Sequence, residues 1–224
     1  MPNIFAVYKP KGPTSNQVLN ELRKTFKTKK VGHAGTLDPL AEGVLVVGVG
    51  REATKQLATV VQKEKEYIGT VKFGVTSTTD DEEGIKTEFE VGSKKYKKSD
   101  IEKIIPAFIG DILQVPPNFS AIKAGGKVAY KVARAGGMPQ LGPRQVEIKA
   151  IEILEYSWPF LKIRVVTGPG VYIRSLARDL GSELGCGGYL YDLIRTRVGE
   201  YRIEDAAQVE NIKKAEDNTS AFIH

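Results

Sequence analysis

Amphipathic helices and apolar strands follow one another along this chain without a regular β–α–β alternation. That pattern constrains the fold more tightly than any composition figure. Residues 4–8 (IFAVY) predict a short strand, closed off by Lys9-Pro10-Lys11-Gly12-Pro13. Thr14 or Ser15 then caps a helix whose apolar positions Val18, Leu19, Leu22 and Phe26 share one face. Lys27, Lys29 and Lys30 sit at its C-terminal end, where cations suit the helix dipole. Residues 44–49 (VLVVGV) predict a buried strand, and Lys65 to Val75 another with Tyr67 near its start. Thr76 to Gly84, with Asp80, Asp81, Glu82 and Glu83, predicts an acidic loop. Ser99-Asp100-Ile101-Glu102 predicts a capping box that leads into the stripe Ile101, Ile104, Ile105 and Phe108. Pro116-Pro117 breaks the chain, and residues 118–144, rich in Gly, Lys and Arg, hold a short helix around Val128–Ala135. Residues 145–156 and 160–167 predict a pair of strands. Gly168-Pro169-Gly170 turns the chain into a helix with Ile173, Leu176, Ala177, Leu180 and Leu184 on its apolar face, and residues 189–201 add a strand. The mixture predicts an α+β fold with a mixed, mainly antiparallel sheet flanked by helices and loops, not a doubly wound α/β fold.

The 224 residues suit one large domain, or one domain with a lobe inserted into it. The single cysteine, Cys186, excludes a disulfide scaffold and a four-cysteine zinc site, and two histidines, at 33 and 224, leave little for a histidine-rich metal site. No apolar run reaches the ~18 residues of a membrane helix. Charged residues interrupt the first 30 positions, so no signal peptide is expected and the cytoplasm is the expected compartment. The net charge of +6 is uneven: residues 1–65 carry +6 and residues 121–149 carry +5, while the other two segments are acidic. Two basic segments of this kind suit a polyanionic partner, although lysine-rich surfaces also serve solubility alone.

Gly48-Val49-Gly50-Arg51-Glu52-Ala53 fits a loose G-x-G-x-x-A pattern after a strand, but a dinucleotide site needs the βαβ unit that this chain lacks. The most unusual segment is Gly32-His33-Ala34-Gly35-Thr36-Leu37-Asp38-Pro39-Leu40-Ala41-Glu42-Gly43, between a basic helix end and a buried strand. Its glycines allow left-handed backbone and close approach to a ligand, and Pro39 biases Asp38 towards an extended conformation. Read by itself, Asp38 is equally a routine turn residue.

The segment GHAGTLDPLAEGVLVVGVGREATK resembles the signature of the TruB family of tRNA pseudouridine synthases. Lys9-Pro10-Lys11-Gly12 with Ser15 resembles that family's Lys-Pro-x-Gly-x-x-Ser motif, Lys65-Glu66-Tyr67 its Lys-x-Tyr segment, and Thr76 to Gly84 its Thr-x-x-x-Asp-x-x-Gly loop. Pro116 to Lys123 resembles Pro-Pro-x-Tyr-Ser-Ala-x-Lys, Gly170 to Arg174 resembles Gly-Thr-Tyr-Ile-Arg, and Leu184 to Gly188 also fits. The motifs run in order from about residue 3 to residue 208. The resemblance implies a pseudouridine synthase fold and an isomerase that converts uridine to pseudouridine in the TΨC loop of tRNA (position 55), with no cofactor and no metal. It makes Asp38 the catalytic carboxylate, Arg174 the arginine that pairs with it, and Tyr67 the active-site tyrosine. It implies RNA contact by His33 and by Tyr172, an apolar contact of Leu193 with the flipped base, and phosphate contact or pocket support from Lys9, Lys55, Lys123, Arg144, Arg195 and Arg197. Arg174 opens a predicted helix, where a cation is electrostatically misplaced unless an anion answers it.

Phe119 replaces the family's usual tyrosine and removes a hydroxyl. Many bacterial members also carry a C-terminal RNA-binding PUA module. The motif match here gives a catalytic domain over residues 1–208, with 121–149 as an RNA-gripping insertion, and 209–224 as a short tail without a PUA domain. The expected partner is the T-arm stem-loop of tRNA, bound by a monomer with no membrane and no protein partner. Two other readings are a guide-dependent relative acting on ribosomal RNA, and a non-catalytic RNA chaperone on the same fold.

Overall fold

The computed structural model describes residues 3–89 and 96–221. Its elements run in the order β1 (Ile4–Lys9), α1 (Ser15–Thr25), β2 (Val31–His33), β3 (Ala41–Val49), α2 (Arg51–Val61), β4 (Lys65–Phe73), β5 (Val75–Ser77), β6 (Lys86–Glu88), α3 (Lys98–Ile104), β7 (Gly110–Gln114), β8 (Lys123–Ala124), β9 (Lys127–Val128), α4 (Ala129–Arg134), β10 (Arg144–Ser157), β11 (Phe160–Thr167), α5 (Ile173–Glu183), β12 (Gly188–Val198), β13 (Tyr201–Arg202) and α6 (Val209–Ala221). The chain forms two compact units, one of Met1–Tyr67 with Leu193–His224 and the other of Ile68–Asp192, whose boundaries fall inside β4 and β12.

The first unit is built on β3. Strands β1 and β2 pair with it antiparallel, and Leu193, Ile194 and Arg195 of β12 pair with it parallel. The unbroken apolar run in β3 has a physical reason, because both of its faces are covered. Leu45 and Val47 join one core cluster with Val7 and with Val18, Leu19 and Leu22 of α1, while Val44 and Val46 join another with Ala6, Leu57, Val60 and Val198. Helix α1 starts at Thr14, whose hydroxyl accepts from the Gln17 amide while the Gln17 side chain accepts from the Thr14 amide. Residues 209–221, expected as a tail, form α6, whose Val209 and Ile212 are buried in the α1 cluster; the last three residues of that tail lie outside the described residues.

In the second unit β10 pairs antiparallel with β11 on one side and β7 on the other. Leu161, Ile163 and Val165 are fully buried and alternate with the solvent side of β11, as the period-2 pattern predicts. Helix α5 buries Ile173, Leu176, Ala177 and Leu180. A Cβ on Gly181 would lie 2.3 Å from the backbone of Gly187 and Gly188, so this contact of helix with chain admits glycine alone. Strands β5 and β6 form a hairpin around the acidic segment. Glu82 and Glu83 are exposed as expected of a loop, but Asp81 is buried at 2% exposure. The expected capping box at Ser99 is displaced: α3 begins at Lys98, and the Asp100 carboxylate accepts from the Lys97 amide at 2.9 Å. The basic insertion comprises the β8–β9 hairpin, α4, and a stretch up to Arg144 without regular structure.

Candidate active site

Asp38 is half-buried in the connection from β2 to β3, in the first unit. The backbone on both sides of it is tied down. The Ser15 hydroxyl donates to the Leu37 carbonyl and accepts from the Leu37 amide, both at 2.9 Å. The Gly12 amide donates to the Pro39 carbonyl at 2.8 Å, and the Ala41 amide closes a turn onto the Asp38 carbonyl at 3.1 Å. Two buried cations complete the clasp. Lys9 is 0% exposed, and its Nζ donates to the carbonyls of Ala41 at 2.6 Å and Pro10 at 3.0 Å. Arg195 is 2% exposed; its Nε donates to the Val44 carbonyl at 2.8 Å, and its Nη2 to the Gly35 carbonyl at 3.0 Å. Strand β12 passes so close to β3 that a Cβ on Gly43 would meet the Arg195 carbonyl at 2.2 Å, and Gly43 adopts φ +107°. A pinned loop of this kind presents one carboxylate in a fixed place, which is what a nucleophile or general base requires.

Leu193 pairs with Ala41 at the end of this loop and His33 precedes it in β2; Tyr67, near the start of β4, is 7% exposed like Leu193. Burial, then the charges of Arg195 and Arg23, push the His33 imidazole below its ordinary pKa, so at neutral pH it is an uncharged ring. Its Nδ1 is buried without a hydrogen-bond partner among the described residues. Lys65, two residues before Tyr67, donates to the Val61 and Lys63 carbonyls at the end of α2, both at 2.6 Å. Burial and the Arg195 charge push its amine down to about 8.

Arg174 belongs to the second unit, in the first turn of α5. Its side chain is 6% exposed and lies 3.4 Å from the Asp81 carboxylate, itself 3% exposed. Nη1 also donates to the Thr79 carbonyl at 3.1 Å and Nη2 to the Phe119 carbonyl at 3.0 Å. A buried carboxylate thus answers the cation at this helix start. The entry to α5 is fixed by Gln114, whose side-chain amide accepts from the Tyr172 amide at 2.8 Å and donates to the Tyr172 carbonyl at 3.1 Å. One turn after Arg174, Arg178 pairs with Asp80 at 2.8 Å and with Asp179 at 2.9 Å. Burial raises the pKa of both aspartates, against the pull of Arg178.

A family model described as "TruB family pseudouridylate synthase (N terminal domain)" matches residues 23–173, more than half of the chain. The chain belongs to the TruB family. A second model, "tRNA pseudouridylate synthase B C-terminal domain", matches residues 174–221, so the family match runs through α6. A protein of Francisella philomiragia named tRNA pseudouridine synthase B is 42% identical over 94% of this chain and 69% of that protein. A namesake from Francisella tularensis is 40% identical over the same shares. Among solved structures, a chain in the crystal structure of a Cbf5-Nop10-Gar1 complex has a TM-score of 0.74 at 27% identity, covering 99% of this chain and 56% of that one. A second, from the archaeal box H/ACA sRNP Nop10-Cbf5 complex, has a TM-score of 0.71 at 24% identity and bears on the fold alone. The chain therefore spans little more than half the length of these solved structures.

For this TruB chain, Lys9 and Arg195, expected to give phosphate contact or pocket support, are buried and donate to backbone carbonyls of the Asp38 loop, which fits support of that loop and not contact with a phosphate. Lys55, Lys123 and Arg144 are exposed, Lys55 pairing with Glu52 at 3.0 Å. Tyr172 is half-buried, with its backbone held by Gln114. Arg197 lies against Glu64. In the basic insertion Lys127 and Lys131 line a cleft of about 500 Å³ with Val128 and Val132. The sequence reading missed Asp81, Asp80, Arg178 and Gln114. The Thr-x-x-x-Asp-x-x-Gly pattern holds a signal for Asp81; nothing in the sequence marks Gln114.

Proposed function

We propose that this chain, as a monomer in the cytoplasm, isomerises the uridine at position 55 in the TΨC loop of tRNA. The C1′–N1 glycosidic bond breaks, the uracil turns, and a C1′–C5 bond forms; the C5 proton leaves to solvent and N1 takes one up. In this reading Asp38, ionised, attacks C1′ or assists departure of the base, which a carboxylate does only in its charged form. Tyr67 stacks on the detached uracil and takes or relays its proton. Arg174 supplies the cation that keeps a carboxylate ionised and oriented. The target base lies in a folded loop and must leave its stack to react, at a cost that backbone contacts to the stem repay. Lys123 and Arg144 supply such contacts, and His33, uncharged at neutral pH, contributes a ring face or a hydrogen bond but no charge.

The observation that carries this reading is Asp38 held in a loop fixed on both flanks, inside a chain 42% identical to a tRNA pseudouridine synthase B. A T-arm stem-loop carrying tritium at uridine C5 tests it, since isomerisation releases the label to water. The wild-type protein should release it, and Asp38→Asn should lower the rate at least ~10³-fold while stem-loop affinity stays within a few-fold. Binding without release by the wild type would make the chain an RNA-binding protein on this fold.

A further inference from the structure

We propose that Arg178 is a positioning residue for Arg174, acting through Asp80 and the turn that carries Asp81. This deepens the function proposed above and rests on it. The two arginines are four residues apart on α5, so their side chains leave the same face of the helix on successive turns. Each bridges the same two segments. Arg174 reaches the acidic turn at Thr79 and Asp81, and the proline segment at the Phe119 carbonyl. Arg178 reaches the acidic turn at Asp80, 2.8 Å from Oδ2, and the proline segment at the Val115 carbonyl, 2.9 Å away. Ser175, between them, donates to that Val115 carbonyl at 2.8 Å.

Asp80 is the pivot. It holds φ +61°, a left-handed conformation that aspartate and asparagine enter more readily than other non-glycine residues. Its carbonyl accepts from Leu190 at 3.0 Å and its amide donates to Ser77 at 3.1 Å, so the turn is held on both sides. The left-handed step reverses the chain between Asp80 and Asp81, sending one carboxylate to Arg178 and the next to Arg174. Asp81 is further fixed by accepting from the Glu83 amide at 3.0 Å and from the Thr79 hydroxyl. With Arg178 removed, the turn loses the ion pair opposite its left-handed residue, and the Val115 end of the proline segment loses one of its two side-chain donors. Both segments that hold the Arg174 guanidinium then loosen together, without any change in the residues that touch Arg174.

The test uses the full chain and the tritiated T-arm stem-loop. Arg178→Met should lower kcat about 10-fold with KM within about 2-fold, the signature of an interaction felt at the reacting centre and not in binding. In an Asp81→Asn background, already missing the Arg174 clamp, the same substitution should change kcat less than about 2-fold, because coupled residues are non-additive. Asp80→Asn keeps a residue that tolerates the left-handed turn but removes the charge, and should reproduce part of the kcat loss if Arg178→Met fails to fold. Arg178→Lys, a cation unable to span both segments, should rescue only partly. An unchanged kcat in folded Arg178→Met or Asp80→Asn, or losses that multiply independently with Asp81→Asn, would overturn the proposal. A wild-type protein that releases no tritium would instead sink the function reading. In that case the Arg174 Nε–H resonance of ¹⁵N-labelled protein still decides: Arg178→Met should shift it, and an unmoved signal counts against the positioning role.

Discussion

The Asp38 loop and the Arg174 turn are both held by cations, but those cations are answered by different chemistry. Arg195 donates to the backbone carbonyls of Gly35 and Val44, while Arg174 and Arg178 meet carboxylates as well as carbonyls. A carbonyl takes up no proton at ordinary pH and is altered by no side-chain substitution, so the Arg195 contacts are broken from the cation's side. A carboxylate can be protonated or replaced by its amide, so the ion pairs of Arg174 and Arg178 can be undone from either side. The Arg195 hold on the loop that bears the proposed nucleophile thus carries no acidic group of its own to titrate.

The largest expected effect is on the second region. Arg174→Met leaves Asp81 buried without that partner and should cost about 3–5 kcal/mol at pH 7 by urea unfolding. The cost should shrink as the pH falls towards 4, because a buried carboxylate that has lost a neighbouring cation takes up a proton more readily; a cost independent of pH would erase the distinction between the Arg195 and Arg174 contacts. On the first region, Arg195→Met strands the carbonyls of Gly35 and Val44 and should cost about 3 kcal/mol. It should also raise the pKa of His33, read by NMR titration of the imidazole, because one of the charges that depresses it is gone. A histidine depressed in the fold binds fewer protons than in the unfolded chain, so the wild type loses stability as the pH falls through about 6.5, and Arg195→Met should lose less over that window. Gly43→Ala should cost about 2 kcal/mol or more in thermal unfolding, because Cβ meets the Arg195 carbonyl and φ is positive. The smallest effects belong to exposed cations: Lys123→Ala and Arg144→Ala should each flatten the slope of log affinity against log salt for the stem-loop by about 1, with stability unchanged.

Strands and helix faces were legible in the sequence because their periodicity is local. Val18, Leu19 and Leu22, and Leu161, Ile163 and Val165, are buried as their spacing predicts. The Asp38 loop was legible from its glycines and proline. For Lys9 and Arg195 the sequence left phosphate contact and pocket support undivided, because charge carries no mark of depth and the Arg195 partners lie 151 and 160 residues away along the chain. The acidic segment divided for the same reason. Glu82 and Glu83 behave as an exposed run, while Asp80 and Asp81 are claimed by arginines on a helix remote in sequence. The requirement for an anion beside Arg174 was visible from helix electrostatics alone, and Asp81 is one group that meets it. Gln114 left no trace in the sequence, since an amide clamping a backbone follows no spacing rule.

The first unit is assembled from the two ends of the described chain, with β12 and α6 arriving long after β3. On a ribosome adding ~5–20 residues per second, the 160 residues between Gly35 and Arg195 take roughly 10–30 s to emerge. Until then the Asp38 loop lacks its guanidinium and β3 lacks its parallel neighbour, whereas residues 68–192 are contiguous and can begin to pack as they are made. The nascent protein therefore holds its carboxylate loop unfinished until β12 has emerged, and the loop is completed by residues made long after it.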